Sequence, residues 1–284
     1  MRPWSTVICI PTNEGPVWFK AGNAAQAFEG GVIQILARRR PDLVPTLLAV
    51  DVDRGWMLQT DGGTLLRGVA DGTDHGVWID ILPRYAELQI DVADEPEALL
   101  AAGAPDRRLT VLPEQFEQLL DDRESLRFVT DEEVGRLRAL SPRIRDECSE
   151  LASFGLPETI QHDDLHDGQV FVRDGRYVFF DWGDACLSHP FFTLTVTLAV
   201  LAHRLDVAQD APELERFRDA YLEPWSRFAA RTRLEEAFVV ANRLGVLCRG
   251  LTWVRIVNAL RPPLPEEDLE AVPERMRMLL RMYA

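Results

Sequence analysis

The segment from Gln161 to Pro190, QHDDLHDGQVFVRDGRYVFFDWGDACLSHP, constrains this chain more than any other part of it. It carries two acidic clusters, His162-Asp163-Asp164 and Asp181-Trp182-Gly183-Asp184, separated by two short apolar runs, Val170 to Val172 and Tyr177 to Phe180. Arg173-Asp174-Gly175-Arg176 joins the runs, and Asp-Gly between apolar runs is a strong hairpin signal. The order is therefore loop, strand, tight turn, strand, loop, which returns the chain so that Asp164 and Asp181 share one cleft. Two carboxylates a hairpin apart suit a metal–phosphate site. One orients or deprotonates a hydroxyl while the other holds Mg²⁺ against phosphate oxygens. The competing reading is a solvated acidic loop beside an ordinary hairpin; Trp182 and the apolar flanks, which require a buried surround, count against it.

An independent feature is the basic composition. Of 31 Lys+Arg residues only Lys20 is lysine. Where arginine serves almost everywhere, a surviving lysine marks a place that needs a compact ammonium on a flexible stem rather than a planar fork. Such an ammonium suits contact with nucleotide phosphates. Lys20 ends the strand-like run Val17-Trp18-Phe19-Lys20, and Glu29 follows in a helix-like stretch. The alternative is a leftover surface lysine.

Composition narrows the function classes. With 284 residues and 46% hydrophobic content, the chain can bury a substantial core in one large or two modest domains. No run of eighteen apolar residues and no signal-peptide pattern stands out, so a cytoplasmic protein without a membrane span is expected. Cys9, Cys148, Cys186 and Cys248 are far apart and read as small buried hydrophobes in a reducing compartment. A net charge of −15 with no basic stripe argues against nucleic acid as partner.

Along the chain, residues 4–60 read as β-rich with one helix. Thr6 to Ile10 and Val17 to Lys20 are strands, 24–39 is a helix ended by Pro41, and Leu47 to Val52 and Trp56 to Gln59 form a hairpin. Asp61-Gly62-Gly63 is a loop. Thereafter helices dominate: 77–90, then one that Thr130 to Glu133 start as a capping box and that Pro142 is positioned to kink. Past Pro190 four more are expected, over 191–205, 213–228, 234–260 and 266–282. Arg107 and Arg108 read as capping or salt-bridging residues, and Trp225 and Trp253 as core.

The pattern His162-x-Asp164-Leu165-His166-x-x-Gln169, with the hairpin and Asp181-Trp182 after it, resembles the catalytic loop and metal-binding segment of the aminoglycoside phosphotransferase and choline kinase-like family. These are small-molecule relatives of protein kinases. The resemblance implies an α+β, bilobal protein-kinase-like fold, with a small β-rich N-lobe over 1–60, a hinge over 61–72 and a helical C-lobe over 73–284. It implies Asp164 as catalytic base and Asp181 as principal Mg²⁺ ligand. The second metal ligand would be the residue five after the base, which is Gln169 where the family carries Asn. Lys20 and Glu29 have the spacing of the strand lysine and helix glutamate that pair in kinase-like N-lobes and hold the nucleotide. His162 is expected to anchor the loop, His166 to touch substrate or phosphate or to be structural, and Asp184 to support the metal. Asp163 is expected to be solvated. The family's first strand and phosphate-covering loop have no counterpart after Met1, and no G-x-G-x-x-G segment is present, which leaves a late start site or an abbreviated N-lobe as explanations. The implied function is transfer of the γ-phosphoryl group of ATP, with Mg²⁺, to a hydroxyl of a small molecule such as an aminoglycoside, sugar or amino alcohol. The alternatives are a pseudokinase-like nucleotide-binding module, which Gln169 and the missing loop favour, and a metal-dependent hydrolase, which leaves Lys20 and Glu29 unexplained.

Overall fold

The computed structural model describes residues 4–69, 75–260 and 265–284. Its N-terminal part is an antiparallel sheet of β1 (Ser5–Ile10), β2 (Val17–Gly22), β3 (Leu47–Asp51) and β4 (Trp56–Thr60), in the order β1-β2-β4-β3. Helix α1 (Glu29–Arg39) covers one face, burying Val32, Ile33, Ile35 and Leu36. The expected helix over 24–39 is in fact two pieces. Ala24–Gln26 form a 3-10 turn capped by Asn23, whose Oδ1 accepts from Gln26 N, and α1 begins only at Glu29. The capped turn directs Gln26 inward and sets Glu29 in the first turn of α1, facing the sheet. Gly30 follows because α1 presses on β3: a Cβ there would lie 2.6 Å from Val50.

Asp61-Gly62-Gly63 connects the sheet to the rest. The connection is tighter than the linker expected over 61–72, of which 70–72 lie outside the described residues. β5 (Thr64–Leu65) pairs antiparallel with β7 of the acidic hairpin, and α2 (Leu66–Val69) follows. Gly62 has to be glycine, since a Cβ would meet the Phe171 ring at 2.3 Å.

The larger part is helical, as its periodicity predicts: α3 (Trp78–Asp91), α4 (Pro96–Ala101), α5 (Leu112–Asp121) and α6 (Asp131–Ala152) precede the acidic segment. The capping box forms at α6, with Glu133 N on Thr130 Oγ1 and Thr130 N on Glu133 Oε2. Pro142 does not interrupt that helix. After the acidic segment come α7 (Thr193–Leu205), α8 (Glu215–Leu222), α9 (Arg231–Ala259) and α10 (Glu266–Met282). α9 is long and apolar enough to cross a membrane, yet 67% of its most apolar window is buried against the other helices, which is the behaviour of a core helix.

The acidic segment itself is nested. β6 (Thr159–Gln161) pairs with β9 (Cys186–Ser188), and inside that pair β7 (Val170–Arg173) and β8 (Arg176–Phe179) form the hairpin. Two loops therefore leave the nest: 162–169 before the hairpin and 180–185 after it. The fold is mixed α+β, a small antiparallel sheet joined to a helical body.

Beyond β9, His189 is buried; its Nδ1 accepts from Phe191 N at 3.3 Å and its ring lies edge-on to Phe191. Burial pushes the imidazole down to about 3, so it stays neutral in the fold. An unfolded histidine titrates near 6.5. Below that value the unfolded chain binds the extra proton, so this residue's contribution to stability is complete above about pH 6.5 and falls as pH drops toward about 3. The expected slope is about 1.4 kcal/mol per pH unit between about pH 6 and 4. Urea unfolding across that range should show a shallower slope for His189→Gln; equal slopes would show that His189 is not the residue responsible.

Candidate active site

Lys20 lies on β2, cross-strand from Val7 and Met57. Its Nζ is 2.7 Å from Glu29 and 2.5 Å from Asp181, so three segments distant in sequence meet at one ammonium. Burial disfavours the charge, but Asp181 and Glu29 outweigh it and hold the lysine protonated well above its ordinary range. Burial also pushes the Glu29 carboxyl up to about 7, opposed by the ammonium.

Asp181 opens the second loop in a left-handed conformation, φ 63° and ψ 54°, and Asp163 does the same in the first, φ 62°. Aspartate is one of the few residues that adopts this region at modest cost, and such strain gathers at functional sites. Asp181 remains a carboxylate: burial works against it, but Lys20 holds it below the usual range. Its side chain is 37% exposed and faces the cleft.

Asp164 lies across the cleft with both oxygens engaged. Oδ1 accepts from Arg249 Nη2 at 2.9 Å. Oδ2 accepts from Gln169 Nε2 at 3.2 Å and lies 3.5 Å from His166 Nε2. Against the effect of burial, Arg249 first and His166 next hold this carboxyl well below its normal range. Gln169 thus turns its amide nitrogen to the aspartate.

His162 behaves as the expected anchor. It is fully buried, its ring is 4.9 Å from Trp182, and its Nε2 donates to the Phe180 carbonyl at 2.8 Å. That bond ties the start of one loop to the residue before Asp181 in the other. Burial lowers its pKa, so the ring is neutral. His166 lines the cleft and takes the Gly168 amide on Nδ1. Asp184 accepts from Gln26 at 3.0 Å and from Arg249 at 2.7 Å.

Three expectations are corrected here. Asp163 is buried rather than solvated, because its left-handed backbone turns the carboxylate inward to Gln161 Nε2 at 2.8 Å, with Arg249 at 3.6 Å. Trp253 is core on one side only: half-buried and packed against the core, it also lines the cleft beneath the Arg249 guanidinium, 5.4 Å from its ring, with Trp4 perpendicular to it at 6.3 Å. Of the arginine pair, Arg108 bridges Asp106, whereas Arg107 donates to the Leu251 carbonyl. The sequence reading missed Arg249 itself. The clue was an arginine inside LGVLCRGL, since a guanidinium in a buried helix needs carboxylates.

The cleft has a volume of about 520 Å³ and is lined by Asp164, Asp181, Asp184, Gln169, Arg249 and Trp253, among others. Its oxygen donors are of the kind that Mg²⁺ takes: the Asp181 carboxylate and the Gln169 carboxamide oxygen. Among the described residues no cluster of three or more His, Cys, Asp or Glu forms a metal cage. A divalent ion here would complete its shell from phosphate oxygens and water, as Mg²⁺ does at phosphate sites.

A family model described as the phosphotransferase enzyme family matches residues 21–236. The chain belongs to that family. Among solved structures it is similar to an ethanolamine kinase of Plasmodium vivax, with a TM-score of 0.63 and 13% identity over 97% of this chain and 82% of that one. It is also similar to a choline kinase of Streptococcus pneumoniae, at TM-score 0.60 and 13% identity over 96% and 88%. A third is the phosphotransferase APH(2″)-IIIa in complex with GDP and kanamycin, at TM-score 0.59 and 14% identity over 98% and 93%. At these identities the likeness is one of fold, and it is the kinase-like fold. No curated protein sequence matches the chain.

Removing the ammonium should expose the electrostatics. Lys20→Met leaves the buried Glu29 without its partner and is expected to cost about 3 kcal/mol in urea unfolding. Adding Glu29→Gln should restore most of that loss. A double variant as unstable as Lys20→Met would show that the cost comes from packing rather than charge.

Proposed function

We propose that this phosphotransferase moves the γ-phosphoryl group of a Mg²⁺-bound nucleoside triphosphate, ATP in the first instance, to a hydroxyl of a small molecule. The observation that carries the reading is Lys20 Nζ, held between Glu29 and Asp181 on the cleft that Asp164 faces. Lysine fixed in this way offers its charge to the phosphates that are not transferred. Phe171, stacked on Phe180 with centroids 3.9 Å apart and set against Gly62, packs the connection between the two parts against the hairpin. The Asp181 carboxylate, with Gln169 beside it, would hold Mg²⁺, which when bound offsets charge on the phosphates. His162 keeps the two loops in register, and Asp184 supports the metal side through Gln26 and Arg249.

Asp164 receives the acceptor hydroxyl. With Arg249 on Oδ1, the oxygen that takes the hydroxyl hydrogen is Oδ2, after Gln169 or His166 yields its contact. A carboxylate held this far below its usual range is a weak base, so its main work is to orient the hydroxyl in line with the phosphoryl group and to take the proton late. A cytoplasmic enzyme whose partners are a nucleotide and a small molecule, without nucleic acid or membrane, is part of the proposal.

The engagement of both Asp164 oxygens also favours a second reading, a nucleotide-binding module with little turnover. One comparison separates the two. Asp164→Asn is expected to lower acceptor-dependent ATP consumption about 10²- to 10⁴-fold while leaving the Mg·ATP dissociation constant nearly unchanged. Wild-type protein that binds Mg·ATP yet turns over no hydroxyl acceptor would select the binding module.

Gln169 gives a second measurement. Its carboxamide now serves Asp164, so Gln169→Asn, shorter by one methylene, should release that oxygen toward the metal. The expected outcome is equal or higher activity, with half-maximal rate reached at lower Mg²⁺. A higher Mg²⁺ requirement would mean that glutamine is the better ligand.

A further inference from the structure

The acceptor side of the cleft has an unusual charge arrangement for so acidic a protein. Among the described residues three carboxylates line the cleft: Asp164, Asp181 and Asp184. Each already has a cation of the protein against it. Arg249 reaches Asp164 at 2.9 Å and Asp184 at 2.7 Å, and Lys20 reaches Asp181 at 2.5 Å. Asp167, just beyond His166, is held by Arg67 at 2.8 Å and Arg204 at 3.0 Å. Two further guanidiniums lie behind that wall without lining the cleft. Arg255 donates to main-chain oxygens of Ala25 and Gly183, and Arg275 approaches the Met278 sulfur. Burial first, and then the positive neighbours Arg107 for one and Arg249 for the other, lower the pKa of both.

The apolar part of the lining is Trp4, Val7, Trp253 and Ile256, and Val7 is 54% exposed. Aromatic rings of this kind hold ammonium groups when their faces are open and electron-rich. Here the Trp253 face is covered by the Arg249 guanidinium, and the Trp4 ring meets Trp253 edge to face, at 87°. An incoming cation would therefore find each lining carboxylate already in contact with Arg249 or Lys20, cations that these acids share, with the Trp253 face taken and the Arg249 charge beside it.

We infer that the acceptor is an uncharged hydroxy compound with an apolar body, and that Arg249 and Trp253 set this preference. The inference rests on the phosphotransferase reading for the word acceptor, and concerns which molecules that part of the cleft admits. It sets this chain apart from structural neighbours whose named ligands or substrates, kanamycin, choline and ethanolamine, are cations at neutral pH. Excluding a cation by desolvation and like charge is an economical way to gain specificity, because it acts on every amine at once.

The test uses two ligands of the same shape and different charge: choline and 3,3-dimethylbutan-1-ol, in which carbon replaces the quaternary nitrogen. Binding of each to the full chain with Mg·ADP is followed by ligand-observed NMR titration, in the millimolar range expected of such small ligands. The neutral alcohol should bind about tenfold more tightly than choline, or better. In Arg249→Met, which removes the fixed charge and opens the Trp253 face, the ratio should fall or invert. If that variant does not fold, the wild-type comparison decides alone. Choline binding as tightly as the alcohol, or no saturable binding of the alcohol, overturns the inference. ATP consumption in parallel samples, with Mg·ATP in place of Mg·ADP, reports on the reaction separately. Preferential turnover of choline removes the inference and leaves phosphotransfer standing, whereas a neutral preference in binding with no turnover of any acceptor does the reverse.

Discussion

The guanidinium of Arg249 is the contact on which the site depends. It is almost fully buried in the central helix and reaches three aspartates from two loops, Asp163 and Asp164 before the hairpin and Asp184 after it. Burying that cation without partners would be prohibitive, and burying the carboxylates together without it equally so. The loops and the helix therefore require one another. An arginine suits the place better than a lysine because its planar fork presents several donors at fixed angles, enough to bind separate carboxylates at once.

The sheet is coupled to this body through a second ionic contact. Lys20 leaves β2 and meets Asp181 beyond the hairpin, while Gln26 from the capped turn reaches Asp184. Both contacts start in the N-terminal part and end in the same loop, 180–185. The left-handed turn at Asp181 makes this reach possible, since it swings the carboxylate out of the line of β8 and toward the sheet. With His162 bonded to the Phe180 carbonyl, that loop is held from both sides before any ligand arrives.

Much of this was legible in the residues. The Asp-Gly turn between apolar runs marked the hairpin, and the short runs of β-branched and aromatic residues over Thr6 to Ile10 and Val17 to Lys20 marked the first strands. The lone lysine and the capping box at Thr130 also led to the right elements. These are local signals, in which a residue's neighbours in sequence are also its neighbours in space. What could not be read was carried by long-range pairing. Asp163 looks solvated until its backbone turns inward onto Gln161, and the side of Trp253 that faces the cleft shows only once Arg249 lies over it. Arg249 itself lies 85 residues from Asp164. Its only local mark is a charge within an apolar helix, which shows that a partner is needed without saying which one. The break at Ala27 and Phe28 was missed for a related reason: Asn23 competes for the helix amides, and the gain comes from where Gln26 and Glu29 then point.

The nested order of the acidic segment has one more consequence when set beside the extent of the family match. Residues 21–236 contain Glu29, Asp163, Asp164, Asp181 and Asp184, every acid of the site. Lys20 stands one position before the match and Arg249 lies after it. A fragment trimmed to those residues would keep all five negative charges in close quarters and lose both cations that hold them. Its cleft would spread apart by self-repulsion, so the boundaries of the recognisable sequence and of the smallest stable unit are different boundaries in this protein.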